Sequence, residues 1–72
     1  DNIVQIAQYE VRILKLLSEG FTQEEIHLKF KENGIYPHSK SSIEKRLKEL
    51  KEDFGARTNP QLISMAKDLK II

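Results

Sequence analysis

The sequence predicts a compact all-α domain of four short helices, with an extended loop between the second and third. Apolar residues recur at helical spacing in four separate runs, and glycine, proline or a hydroxyl residue punctuates each of them. A third observation concerns what holds so short a chain together. A domain of this size buries only about 60% of the surface its unfolded chain exposes, and many such domains lean on disulfides or a metal. This chain of 72 residues has no cysteine, and its two histidines, His27 and His38, lie far apart with no ligand cluster around them. Stability therefore has to come from helix packing, and no metal or cofactor is expected.

The first run extends from Ile6 to Leu17, where Ile6, Tyr9, Ile13, Leu16 and Leu17 share one face before Gly20 ends the helix. Thr22-Gln23-Glu24-Glu25 reads as a capping box, in which the Thr22 hydroxyl accepts from the Glu25 amide and the Glu25 carboxylate accepts from the Thr22 amide. The second helix follows to about Lys31, with Ile26 and Phe30 one turn apart and facing inward. Lys29 and Lys31 close it, where cations suit the negative end of the dipole. Asn33-Gly34 and Pro37 are turn residues, so Glu32 to His38 reads as a loop, long for a connection between packed helices. Ile35 and Tyr36 are too apolar for a purely solvated loop, and one of them is expected to plug the core. The other use open to this loop is contact of Tyr36 or His38 with a sugar or phosphate.

The third helix spans SKSSIEKRLKELKEDFG, Ser39 to Gly55. Ser39 is the expected cap, with Ser41-Ser42-Ile43-Glu44 as a competing capping box. At about 100° per residue, Ile43, Leu47, Leu50 and Phe54 lie within roughly 60° of one another, so one side packs while Ser41, Lys45 and Lys48 point away. After Gly55, Arg57-Thr58-Asn59-Pro60 turns the chain into a fourth helix, with Asn59 expected as cap and Pro60 at the first helical position. Leu62, Met65, Ala66 and Leu69 are its expected buried stripe. Ile63 falls off that stripe and Ile71-Ile72 follow Lys70, which leaves apolar surface for a partner.

Twelve Lys and Arg against eleven Asp and Glu leave a net charge of +1, so charge has to be judged by placement rather than by total. No stretch is apolar enough to span a bilayer or act as a signal peptide. Together with the absence of cysteine this predicts a cytoplasmic protein without membrane contact. No carboxylate pair or nucleophile motif accompanies His38, so catalysis is not expected. Because it opens at Asp1-Asn2 without methionine, the chain reads as one domain, residues 1–72, cut from the C-terminal part of something longer.

Two helices separated by a turn, the second with an exposed basic side, describe a helix-turn-helix, whose second helix enters the major groove. The local sequence resembles the LuxR/GerE type found at the C-terminus of many bacterial response regulators. Ile13-Leu14-Lys15-Leu16-Leu17-Ser18-Glu19-Gly20 is similar to the family's V-L-x-L-[LI]-A-x-G, and Glu10 sits where the family usually has a glutamate. Thr22 to Ile26 resembles [ST]-N-K-E-I, Ser39 to Glu44 resembles S-x-x-T-V-K, and Gly55 to Ile63 resembles G-V-x-[NS]-R-x-E-[LA]-[VI]. The likeness covers about residues 6–69. The chain departs from the pattern in three places: about six extra residues between Ile26 and Ser39, Glu44 where lysine is frequent, and Arg46 where histidine is common.

The resemblance implies sequence-specific binding of double-stranded DNA by a recognition helix of about residues 40–53. Ser41, Glu44, Lys45 and Lys48 are the candidates for base edges, and Thr22, Gln23, Lys40 and Lys51 for phosphates. It also implies a homodimer through the fourth helix, with Ile63 and Lys67 as contacts, and an N-terminal receiver or sensor domain of a two-component system. Two rivals remain: a sigma-factor-like promoter-recognition domain, and a protein interaction module without DNA binding. The near-neutral charge and the acids Glu44, Glu49, Glu52 and Asp53 favour the second rival.

Overall fold

Four helices form where the apolar runs predict them: α1 (Gln8–Ser18), α2 (Gln23–Glu32), α3 (Lys40–Phe54) and α4 (Asn59–Asp68). This computed structural model describes residues 7–72, so Ile6, expected on the inner face of the first helix, lies outside the described residues. Among the described residues there is no strand, and no helix is long and apolar enough to cross a membrane.

The N-termini of α2, α3 and α4 follow side-chain chemistry, whereas α1, with Ala7 at its N-cap, has no side-chain cap. At α2 the capping box closes in both directions, with the Thr22 amide donating to the Glu25 carboxylate at 2.9 Å and the Glu25 amide to the Thr22 hydroxyl at 3.2 Å. Ser39 caps α3, its hydroxyl accepting from the Ser42 amide at 3.2 Å, and the competing box at Ser41 does not form. The expected cap of α4 is corrected. Thr58, in extended conformation, is the N-cap and accepts from the Gln61 amide at 3.2 Å, which places Asn59 and Pro60 inside the helix. Thr58-Asn59-Pro60-Gln61 is itself a hydroxyl-x-x-Gln pattern, and the Gln61 carboxamide oxygen accepts from the Arg57 amide at 2.8 Å.

All four helices end with the same hydrogen-bond motif. The amides of Phe21, Ile35, Ala56 and Ile71 each donate to the carbonyl five residues back, at 3.1, 2.9, 2.8 and 2.9 Å. These are Schellman closures, which need a left-handed residue just before the donor. Gly20, Gly34 and Gly55 supply it in three helices, and Lys70, with φ of 59°, supplies it in the fourth. Each donor then turns its apolar side chain back onto the core. This is why Ile35 is the loop residue that plugs the core while Tyr36 stays 75% exposed. It also corrects the end of the chain. Ile71 and Ile72 pack against the core instead of waiting for a partner, and Leu69, placed on the buried stripe by periodicity, lies beyond the last helical residue and is 58% exposed.

α1 and α3 each pack against all three other helices, whereas α2 and α4 do not touch each other. The core comprises Ile13 and Leu14 of α1, Ile26 and Phe30 of α2, Leu62 and Ala66 of α4, and the full predicted stripe of α3, Ile43, Leu47, Leu50 and Phe54. No polar or charged side chain is buried among the described residues. A Cα radius of gyration of 11.6 Å matches the roughly 11 Å expected for a chain this long.

The loop ahead of α3 is tied at three points. Ile35 anchors it in the core, the Tyr9 hydroxyl donates to the Pro37 carbonyl at 2.6 Å, and His27 Nδ1 donates to the His38 carbonyl. The Tyr36–Pro37 peptide bond is cis. Tyr9 also meets the Phe30 ring edge-on at 5.4 Å between centroids, so one side chain links α1, α2 and the loop.

Candidate nucleic-acid interface

Burial of the α3 stripe fixes what the other side shows. Ser41, Glu44, Lys45, Lys48 and Glu52 are all exposed, and Lys51 is half-buried on the flank. The outer side thus carries two lysines in its middle, with the Glu44 carboxylate just ahead of them and the Glu52 carboxylate near its C-terminal end. The Glu44 to Lys48 pair that a merely solvated helix would form is absent, and neither Lys45 nor Lys48 has a carboxylate within ion-pair distance among the described residues.

The flanking cations behave differently. Lys40 pairs with Glu24 at 3.3 Å, which brings the first turn of α3 beside the first turn of α2, where Thr22 and Gln23 lie. Both partners are more than half exposed, so the pair adds little stability and a phosphate can compete for Lys40. Thr22 is exposed, but its hydroxyl oxygen already serves the cap; Gln23 is half-buried. Of the four expected phosphate residues, Thr22, Gln23 and Lys40 are therefore brought together, and Lys51 stands apart, about three turns along α3.

Arg46 belongs to the packing between α1 and α3. It lies 3.7 Å from the Glu10 carboxylate and 3.5 Å from that of Glu49, with its guanidinium 5.9 Å from the Tyr9 ring centre. Burial raises the Tyr9 phenol above its ordinary pKa, Arg46 pulls it the other way, and Glu10 adds a further upward push. No spacing rule could reveal this cluster, because Tyr9 and Glu10 meet Arg46 only through tertiary packing.

Beside the exposed side of α3 runs a groove of about 230 Å³, lined by Pro37, Ser42, Lys45, Arg46 and Glu49. A second concavity of about 390 Å³ lies between α1 and α2, lined in part by Arg12, Lys15, Lys29 and a single carboxylate, Glu19. The second has no residue of α3 in its wall. Among the described residues no group of three His, Cys, Asp or Glu side chains could hold a metal ion. On α4, Ile63 is half-buried and Lys67 exposed. No family model, curated protein or solved structure matches the chain.

Proposed function

We propose that this chain is the DNA-binding effector domain of a bacterial transcription regulator of the LuxR/GerE helix-turn-helix type, with α3 as the helix that enters the major groove. The observation that carries the reading is the state of the lysines. Among the described residues Lys45 and Lys48 have no ion-pair partner, and they stand in the middle of a helix whose opposite side is buried, so the helix is firmly presented with its central cations uncommitted. Lysine donates to guanine O6 and N7, the Ser41 hydroxyl can serve either way, and Glu44 can accept from a cytosine amino group. Lys40, Lys51 and the α2 N-terminus with Thr22 and Gln23 supply phosphate contacts that set orientation without reading sequence.

Function of this kind is binding, and the whole effect of the domain is to hold a larger regulator at its site in the cytoplasm. Two copies on adjacent half-sites gain through effective concentration, and Ile63 and Lys67 on α4 are the surface offered for that pairing. A receiver or sensor domain elsewhere in the protein would control how often two copies meet.

Titration of the chain against duplex DNA at two salt concentrations tests the reading. Binding that weakens as salt rises is expected. No binding to any duplex, even by two tethered copies, would leave the interaction-module reading, which the exposed Glu44 and Glu52 favour. Selection from a random duplex pool then separates a regulator site from a promoter element of the sigma-factor kind.

A further inference from the structure

The groove beside α3 shares only Lys45 with the base-reading side chains, and Tyr36, exposed in the loop that lines it, belongs to none of them. We infer that the loop between α2 and α3 is a second DNA-contacting element: the groove between Pro37 and α3 takes the sugar-phosphate backbone of one strand, and Tyr36 packs against a deoxyribose at its edge.

Four observations carry this. Tyr36 is an aromatic residue left 75% exposed in a loop that is otherwise tied down, by Ile35 in the core, Tyr9 on the Pro37 carbonyl and His27 on the His38 carbonyl. Its ring lies against that of His38, 4.8 Å between centroids, so one face rests on a loop residue while most of the side chain is left exposed. Pro37 and Lys45 line the same groove, so the loop adjoins the side of α3 proposed to face DNA. The groove offers donors of the right kind. Ser39 donates its hydroxyl proton to Ser42 Oγ at 2.7 Å, which leaves the Ser42 proton free to donate in a groove that Lys45 also lines. Glu49 at the same groove is held by Arg46 at 3.5 Å, a guanidinium it shares with Glu10 at 3.7 Å.

At about 230 Å³ the groove is smaller than the roughly 300 to 1,000 Å³ of sites that enclose a free small molecule. A chain that passes through it fits better than a ligand that fills it. This inference rests on the DNA-binding reading above, and the experiment keeps the two apart.

The whole chain is titrated at low salt with a duplex selected by the protein from a random pool and with a scrambled duplex. Tyr36→Ala is expected to weaken both by the same factor, roughly three- to tenfold, because a backbone contact carries no sequence information. Lys48→Ala is expected to weaken the selected duplex more than the scrambled one. Unaltered affinity of Tyr36→Ala for both duplexes, while Lys48→Ala loses affinity, would overturn the loop contact and leave the DNA reading standing. A loss confined to the selected duplex would overturn the backbone assignment. Should Tyr36→Ala fail to fold, Tyr36→Trp decides, since the native chain has no tryptophan: its emission is expected to change on duplex addition, and unmoved emission at saturation overturns the contact. Absence of salt-dependent binding by the unaltered chain removes both readings together.

Discussion

Tyr9 does more for this fold than its position near one end of α1 suggests. Its hydroxyl holds the loop through the Pro37 carbonyl, its ring meets Phe30, and Arg46 lies close to its face. Because burial raises its pKa, the folded state favours the protonated phenol more than the unfolded chain does. Its contribution is therefore complete below the ordinary phenol value of about 10 and is lost as pH rises through the higher folded value. Tyr9→Phe is expected to cost about 0.5 to 1.5 kcal/mol at neutral pH, the net value of one hydrogen bond. It should also flatten the alkaline loss of stability, read as the difference between the two proteins in urea unfolding at neutral and alkaline pH. Equal alkaline decline in both would remove Tyr9 as its source. Lys70 is the second residue with a cost of its own, since φ of 59° is a conformation that a side chain makes unfavourable. Lys70→Gly is expected to gain about 0.5 to 1 kcal/mol after the added freedom of the unfolded chain is counted, whereas Lys70→Ala should gain nothing. Thermal melts of the two variants check this.

At the scale of elements, ends matter more than propensity. The four Schellman closures each return an apolar residue to the core, so every helix is stitched down at its C-terminus by Phe21, Ile35, Ala56 or Ile71. Three of these were legible in the sequence as a glycine followed by an apolar residue. The fourth was not, because lysine gives no sign that it will take the left-handed conformation, and so Ile71 and Ile72 read as apolar surface left for a partner. The start of α4 illustrates the opposite error. Asn before Pro is a strong cap signal, yet Thr58 is the cap: its hydroxyl accepts from the Gln61 amide, and the Gln61 carboxamide in turn accepts from the Arg57 amide just ahead of the cap. Thr58→Ala is expected to cost about 1 kcal/mol. Asn59→Ala should cost little, since the buried Asn59 Oδ1 has no hydrogen-bond partner to lose. Chemical denaturation of both variants orders them, and a larger loss at Asn59 would restore it as the cap.

For the molecule as a whole, a net charge of +1 means that the proposed DNA affinity has to come from local arrangement and not from a general positive field. With about two to four lysines at phosphates, the log-log slope of affinity against salt should lie near −2 to −4 for one copy, at about 0.9 per phosphate, and should roughly double for two tethered copies. A slope that stays near zero would count against DNA as the partner. Which lysines contribute could be ranked from sequence only in part. Helix limits, the α3 stripe and the α2 cap were all settled by residues within four positions of each other, because helix geometry and capping act over a single turn. Those local rules determined the four helices and the side of α3 that faces outward. They could not determine that Lys40 meets Glu24, that Arg46 is held by Glu10 across the α1–α3 contact, or that Pro37 stands beside Lys45 to form a groove. Only tertiary packing decided these, because pairing between residues far apart in the chain depends on where the helices dock, and among the described residues that leaves Lys45 and Lys48 without an ion-pair partner at the centre of α3.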